Sequence, residues 1–97
     1  MAKARIIVID KKDNVATALE PMKKGAEVSE EIQGSPEKIR LLSDIPLGHK
    51  LALRDIKKGD FVIKYGEPIG QSLTKITRGE LVHVHNVVSK PRLRGGR

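Results

Sequence analysis

The sequence predicts a small, mostly β domain built from short, sharply turned strands. Valine, isoleucine and threonine together supply 21 of the 97 residues, and these β-branched types suit a pleated surface better than a helix. One motif, Leu-x-x-Ile/Met-x-x-Gly-x-x-Val/Leu, is written four times, starting at Leu19, Leu42, Leu53 and Leu73. Apolar residues three apart meet on one side of a single helical or 3₁₀ turn. Glycine then takes the positive φ that ends such a turn without a Cβ clash. After each glycine (Gly25, Gly48, Gly59, Gly79) comes a segment with strand character, including Leu51 and Leu53, Phe61-Val62-Ile63, and Leu81-Val82 with Val84. The starts lie 23, 11 and 20 residues apart, too uneven for a solenoid, so one local device is reused within one small fold.

The remaining segments are read in chain order. Arg5–Ile9 is an apolar run that predicts a buried strand. Asn14–Lys24 is the one stretch with helical character, although Pro21 sits badly in a helix interior. Glu30–Glu37, with Gly34-Ser35-Pro36, reads as an exposed loop or hairpin tip, and Lys38–Leu42 as an alternating strand. Gly66-Glu67-Pro68-Ile69-Gly70 reads as a tight link between strands. Two independently folding units within 97 residues would each fall near the size at which burial stops offsetting chain entropy, so residues 1–89 are read as one domain and 90–97 as a basic tail.

Composition excludes several chemistries. Without cysteine there is no disulfide framework, thiolate nucleophile or zinc-thiolate site. With no tryptophan and only Phe61 and Tyr65, base-stacking platforms are scarce. No apolar run approaches the roughly 20 residues of a membrane span, and no secretion signal opens the chain, which predicts a cytoplasmic protein without membrane contact. The net charge of +7 invites a nucleic-acid reading. Four of the cations, however, lie in Lys90–Arg97, and elsewhere lysines and acids alternate as on a solvated face. That distribution argues against nucleic acid.

No serine sits in a nucleophile elbow, and no P-loop is present. The outstanding constellation is Val82-His83-Val84-His85-Asn86. On a strand, residues two apart project from one face about 7 Å apart, so His83 and His85 would point the same way and could hold a divalent metal or grip a carboxylate. The same pattern also describes the wet side of an amphipathic strand. His49, just after Gly48, is the third imidazole, and Lys64-Tyr65 puts an ammonium and a phenol at a strand rim, either as an anion site or as an ordinary half-buried edge.

The run from Asp44 to Gln71 carries Gly48-His49-Lys50 and Ile63-Lys64-Tyr65-Gly66-x-Pro68-Ile69-Gly70. With Val82-His83-x-His85-Asn86 and the opening Asp13-Asn14-Val15-Ala16, it resembles the SAF domain of the altronate/galactarate dehydratase family. The similarity extends from Asp10 to Asn86. It implies a β-clip fold and the small module of hydro-lyases that dehydrate sugar acids to 2-keto-3-deoxy acids, or of the related sulfolactate sulfo-lyases. It also implies a divalent metal, iron or manganese, shared with a large catalytic subunit. By match to the family's motifs, His83 and His85 are the expected metal contacts, and His49, Lys64 and Asn86 the expected substrate-binding groups; no general base is assigned. Since the chain stops eleven residues after Asn86, it reads as a free-standing small subunit, inactive alone, with self-association open. The rival readings are a small nucleic-acid-binding protein and a non-catalytic assembly module on the same fold.

Overall fold

The computed structural model describes residues 5–32, 34–83 and 85–89; the basic tail 90–97 lies outside them. Among the described residues there are nine strands: β1 Ile6–Ile7, β2 Val15–Ala18, β3 Glu27–Ile32, β4 Ser35–Arg40, β5 Lys50–Ala52, β6 Phe61–Lys64, β7 Glu67–Ser72, β8 Leu81–Val82 and β9 Val87–Ser89. They pair antiparallel in three sheets, ordered β1-β2-β5-β8, β3-β4 and β6-β7-β9. No helix occurs among the described residues, and the mostly β expectation holds.

The repeated motif is the frame of the fold. In every copy the N–H of the residue immediately before the strand closes a four-residue turn onto the carbonyl three residues back: Ala26 to Lys23, His49 to Pro46, Asp60 to Lys57 and Glu80 to Thr77, at 2.9–3.0 Å. The glycine is the third turn residue, with φ between 82° and 93°, the conformation of a type II turn. The expected helical turn is absent. Instead the copies pair reciprocally: Met22 and Ile45 exchange two backbone hydrogen bonds, as do Ile56 and Ile76, at 2.8–2.9 Å. The N–H of Gly25 reaches Leu41 and that of Gly48 reaches Ala18, while Gly79 reaches Ala52 and Gly59 reaches Ser72. The uneven spacing of the copies is therefore that of two mated pairs joined by a short connection. The bridging residues Met22, Ile45, Ile56 and Ile76 are buried, whereas the leading leucines Leu19, Leu42 and Leu73 turn outward and only Leu53 is enclosed.

The β1-β2-β5-β8 sheet lies between two cores, as the alternation of side chains along a strand requires. Ile6, Ala16, Ala18 and Leu51 face the first core, with Val28, Ile32 and Ile39 of the β3–β4 hairpin. Val15, Ala52 and Val82 face the second, with Val62 of β6 and partly buried Ile69 and Val87. Gly79 is where the two mated pairs touch: a Cβ there would lie 2.3 Å from the Arg40 carbonyl oxygen, so no side chain fits. Arg54 and Arg78 clasp the Glu37 carboxylate at 2.7–2.9 Å and tie the second pair to the hairpin.

Three segments differ from their sequence reading, and a fourth agrees with it. Asn14–Lys24 is not helical: Asn14 bonds the β6 backbone through both side-chain atoms, Val15–Ala18 form a central strand, and Pro21 falls in the turn region. The strand expected over Arg5–Ile9 is limited to two residues, and Ile7 and Ile9 are exposed because β1 is a sheet edge. The hairpin expected within Glu30–Glu37 is present, with strands running to Ile32 and from Ser35. Glu67–Ser72 is itself a strand, and the tight link is Tyr65-Gly66 alone, since Lys64 pairs with Glu67.

Candidate functional site

The end of β8 does not run on as a strand through the histidines. Its last residue is Val82. His83 and Asn86 then close a turn, with the His83 carbonyl accepting the N–H groups of Asn86 and Val87 at 3.0 and 3.1 Å. The expectation that His83 and His85 share one strand face is thus corrected: the backbone reverses direction between β8 and β9 instead of alternating. Asn86, expected to bind substrate, is 5% exposed and fully engaged in that turn. Its Oδ1 accepts the His83 N–H at 3.0 Å and its Nδ2 donates to the Leu81 carbonyl at 2.8 Å. Its observed work is to orient His83.

The ring that meets His83 belongs to His49. Their centroids are 4.9 Å apart and their planes tilted by 53°. Register explains this: Lys50 pairs with Val82 and Leu51 with Leu81, so continuing the ladder by one step sets residue 49 opposite residue 83. The type II turn from Pro46 to His49 sets the His49 ring at that point, half-buried. Histidine 85 is exposed on the neighbouring turn.

Lys64 closes β6 and is 8% exposed. Its ammonium lies 3.7 Å from the centroid of the Tyr65 ring, a cation–π contact. Tyr65 is the only non-glycine residue with positive φ among those described, at 60°, and is followed by Gly66 at 74°. Two successive positive φ values in a two-residue hairpin loop are the geometry of a type I′ turn, which ordinarily selects Asn-Gly. The turn is held from outside by Asp13, 1% exposed. Its Oδ1 accepts the Gly66 N–H at 2.8 Å, and its Oδ2 accepts those of Tyr65 and Asp10 at 3.1 Å. The hydrogen bond and charge of Lys64 hold the Tyr65 phenol below the usual tyrosine range; Lys50 adds to this, while partial desolvation and the Asp13 charge oppose it. The Lys64-Tyr65 pair is legible in the sequence, whereas the support Asp13 gives it depends on contacts between distant segments.

The donor set bears on the implied metal. Among the described residues no three His, Asp or Glu side chains are placed to hold an ion; His49 and His83 are two imidazoles without a third donor. The described residues therefore do not make a complete iron or manganese site. A cleft of about 510 Å³ lies elsewhere, lined by Val8, Ile9, Asp10, Lys11, Glu31 and Gly34, and contains none of the expected site residues.

Residues 4–90 match the family model described as the altronate/galactarate dehydratase SAF domain. The chain belongs to this family. An altronate dehydratase from Bacillus subtilis is 44% identical to this SAF domain over 80 residues, covering 82% of the chain and 15% of the relative. One from Escherichia coli is 50% identical over 74 residues, covering 76% and 14%. The (2R)-sulfolactate sulfo-lyase subunit alpha of Paracoccus pantotrophus is 50% identical over 48 residues, covering 50% of the chain and 72% of that subunit. The SAF domain thus spans about one seventh of the altronate dehydratases it matches. No helix among the described residues is long and apolar enough to cross a membrane.

Proposed function

We propose that this SAF domain is the small subunit of a cytoplasmic hydro-lyase of the altronate dehydratase type, in which a larger catalytic polypeptide removes water from a polyhydroxy acid to give a 2-keto-3-deoxy acid. The observation that carries this reading is the identity to two altronate dehydratases over more than three quarters of the chain.

Dehydration begins with loss of a proton α to a carboxylate, which is weakly acidic until positive charge or donors hold the carboxylate and the developing enolate. His49 and His83, set side by side, supply two ring donors for that purpose, and Lys64 supplies an ammonium. Asn86 acts through His83 as a positioning residue. A divalent metal of the iron or manganese kind belongs in this reading to a site completed by the larger polypeptide, with His83 and exposed His85 as donors offered toward it. The proton-abstracting base lies on that polypeptide as well, so the 97-residue chain alone is inactive.

A second reading, the sulfolactate sulfo-lyase small subunit, is favoured by one observation: the match covers 72% of a short subunit alpha and not a small fraction of a long enzyme. Co-expression with a large subunit of the altronate dehydratase type, followed by metal analysis and assay on aldonic acids, aldaric acids and sulfolactate, separates the two. Formation of a 2-keto-3-deoxy acid is expected. Sulfite release from sulfolactate without sugar-acid turnover would replace the first reading by the second.

A further inference from the structure

The cleft of about 510 Å³ just past β1 joins two distant parts of the chain, the segment Val8 to Lys11 and the β3–β4 hairpin with Glu31 and Gly34. Its lining is mixed. Val8 and Ile9 supply apolar surface, and Ile9 is 47% exposed, a large aliphatic group left open to water. Asp10 and Glu31 supply carboxylates. Another exposed carboxylate, that of Glu67, stands at the start of β7. No ion pair among the described residues engages Glu31 or Glu67.

Two printed relations aim the end of the chain at this cleft. β9 runs antiparallel to β7, with Val87 opposite Ser72 and Ser89 opposite Gly70, so it heads toward the Tyr65-Gly66 turn. That turn abuts the cleft: a Cβ on Gly66 would lie 2.9 Å from Oδ2 of Asp10, a lining residue. Beyond Ser89 the sequence reads Lys90-Pro91-Arg92-Leu93-Arg94-Gly95-Gly96-Arg97, four cations without an acid, with Pro91 and Leu93 as its apolar members. Three residues at about 3.3 Å each carry a chain from the level of Gly70 to that of Glu67. The remaining five span up to roughly 17 Å, enough to enter a cleft whose lining residue Asp10 touches Gly66.

We propose that the cleft is a docking surface for the chain's own basic end, residues 90–97. Continuing the β7–β9 register sets Arg92 opposite Glu67, a favourable cross-strand pair of opposite charges. The following residues pass Gly66, place Leu93 against Val8 and Ile9, and bring Arg94 and Arg97 to the carboxylates of Asp10 and Glu31 in charge-assisted hydrogen bonds. Lys11, which lines the same cleft, opposes the approach of cations, so the apolar contact of Leu93 is part of the fit. The docked end covers Ile9 and gives Glu31 and Glu67 their counter-charges.

The chain has no cysteine, so Gly96→Cys in the full 97-residue protein carries a single nitroxide on this segment without removing a cation. Paramagnetic broadening of the amide spectrum then reads where the segment rests. The signals of Ile9, Lys11, Glu31 and Gly34 should be broadened far more than those of Met22 and Ile45 in the first mated pair. Glu31→Gln combined with Glu67→Gln should lower the ratio of docked to free chain about fivefold, the scale of losing exposed ion pairs. Arg92→Gln combined with Arg94→Gln should do the same, and serves as the comparison if the first double variant does not fold. Broadening that is uniformly weak, as for a cleft that awaits another protein, overturns the proposal. So does broadening centred on another surface, or a pattern unmoved by the charge substitutions. Broadening that passes only from spin-labelled to separate isotope-labelled copies in a mixed sample would make a second copy the occupant, and overturns it as well.

Discussion

The carboxylate of Asp13 accepts the backbone N–H of Tyr65 at 3.1 Å across 52 residues of chain. Together with its bonds to Gly66 and Asp10, this makes a buried acid the support of a turn whose first residue is unsuited to it. Replacing Asp13 by Ala strands three donors, and a loss of about 3 kcal/mol in unfolding free energy is expected, since hydrogen bonds to a charged group are among the stronger ones. Urea denaturation measures it; a loss below about 0.5 kcal/mol, the range of a neutral surface change, would show that the turn holds itself.

The converse substitution acts in the opposite direction. Tyr65→Asn puts a residue favoured at this turn position where an exposed tyrosine now sits, and should raise stability by about 0.5–1 kcal/mol, the scale of relieved left-handed strain less the cation–π contact. Thermal unfolding at equal concentration tests this. A lowered midpoint would mean that the ring contributes more to the fold than its exposure suggests.

Paired aspartates cap the mated turns. Asp44 Oδ1 accepts the Lys24 N–H at 2.8 Å, and Asp55 Oδ1 accepts the Arg78 N–H at 2.9 Å, one from each mated pair. Asp44→Ala and Asp55→Ala should therefore cost similar amounts, about 1 kcal/mol each, as for loss of a capping side chain. Denaturation midpoints differing more than twofold in cost between them would break the equivalence.

Acid sensitivity should centre on Glu37. The hydrogen bond from Arg54, then the charges of Arg54 and Arg78, hold its carboxyl below the usual value of 4.5 against some desolvation. A carboxyl depressed in the folded state contributes stability that is fully present above its unfolded value and lost as pH falls through the folded one. The stability difference between the wild type and Glu37→Gln should be constant above about pH 5 and shrink steadily below about pH 4. An unchanged difference at pH 3 would assign the acid response to other groups.

In the co-expressed complex, His49→Ala and His83→Ala should lower turnover by similar factors, on the order of a hundredfold, as expected for groups acting directly on the reacting centre. Far-ultraviolet circular dichroism of both variants should match the wild type, because neither ring is in either core. One variant fully active and the other silent would dissolve the pair as a functional unit.

The turn glycines and the strands after them were legible because a positive φ and a short alternating segment are local properties with local residue preferences. The misread segments failed for a shared reason. Asn14–Lys24 has the composition of a short helix, but Asn14 satisfies the backbone of Phe61 and Ile63, and that demand overrides propensity. His83 and His85 look like strand residues until Asn86, from within the same segment, draws the His83 N–H into a turn. Asp13 gave no local sign of its role, because all the meaning of its carboxylate lies in donors reached through tertiary folding.

The amino-acid order alone determined the fold class, the four turns and kinship with the SAF domain, since these depend on residue type and short spacing. Only the tertiary structure decided that the turns mate in two pairs, that His83 meets His49, and that Lys64 is enclosed with its ammonium over the Tyr65 ring. Those facts depend on which backbone groups lie opposite across a sheet, and a one-residue slip in that register would send each side chain to the other face.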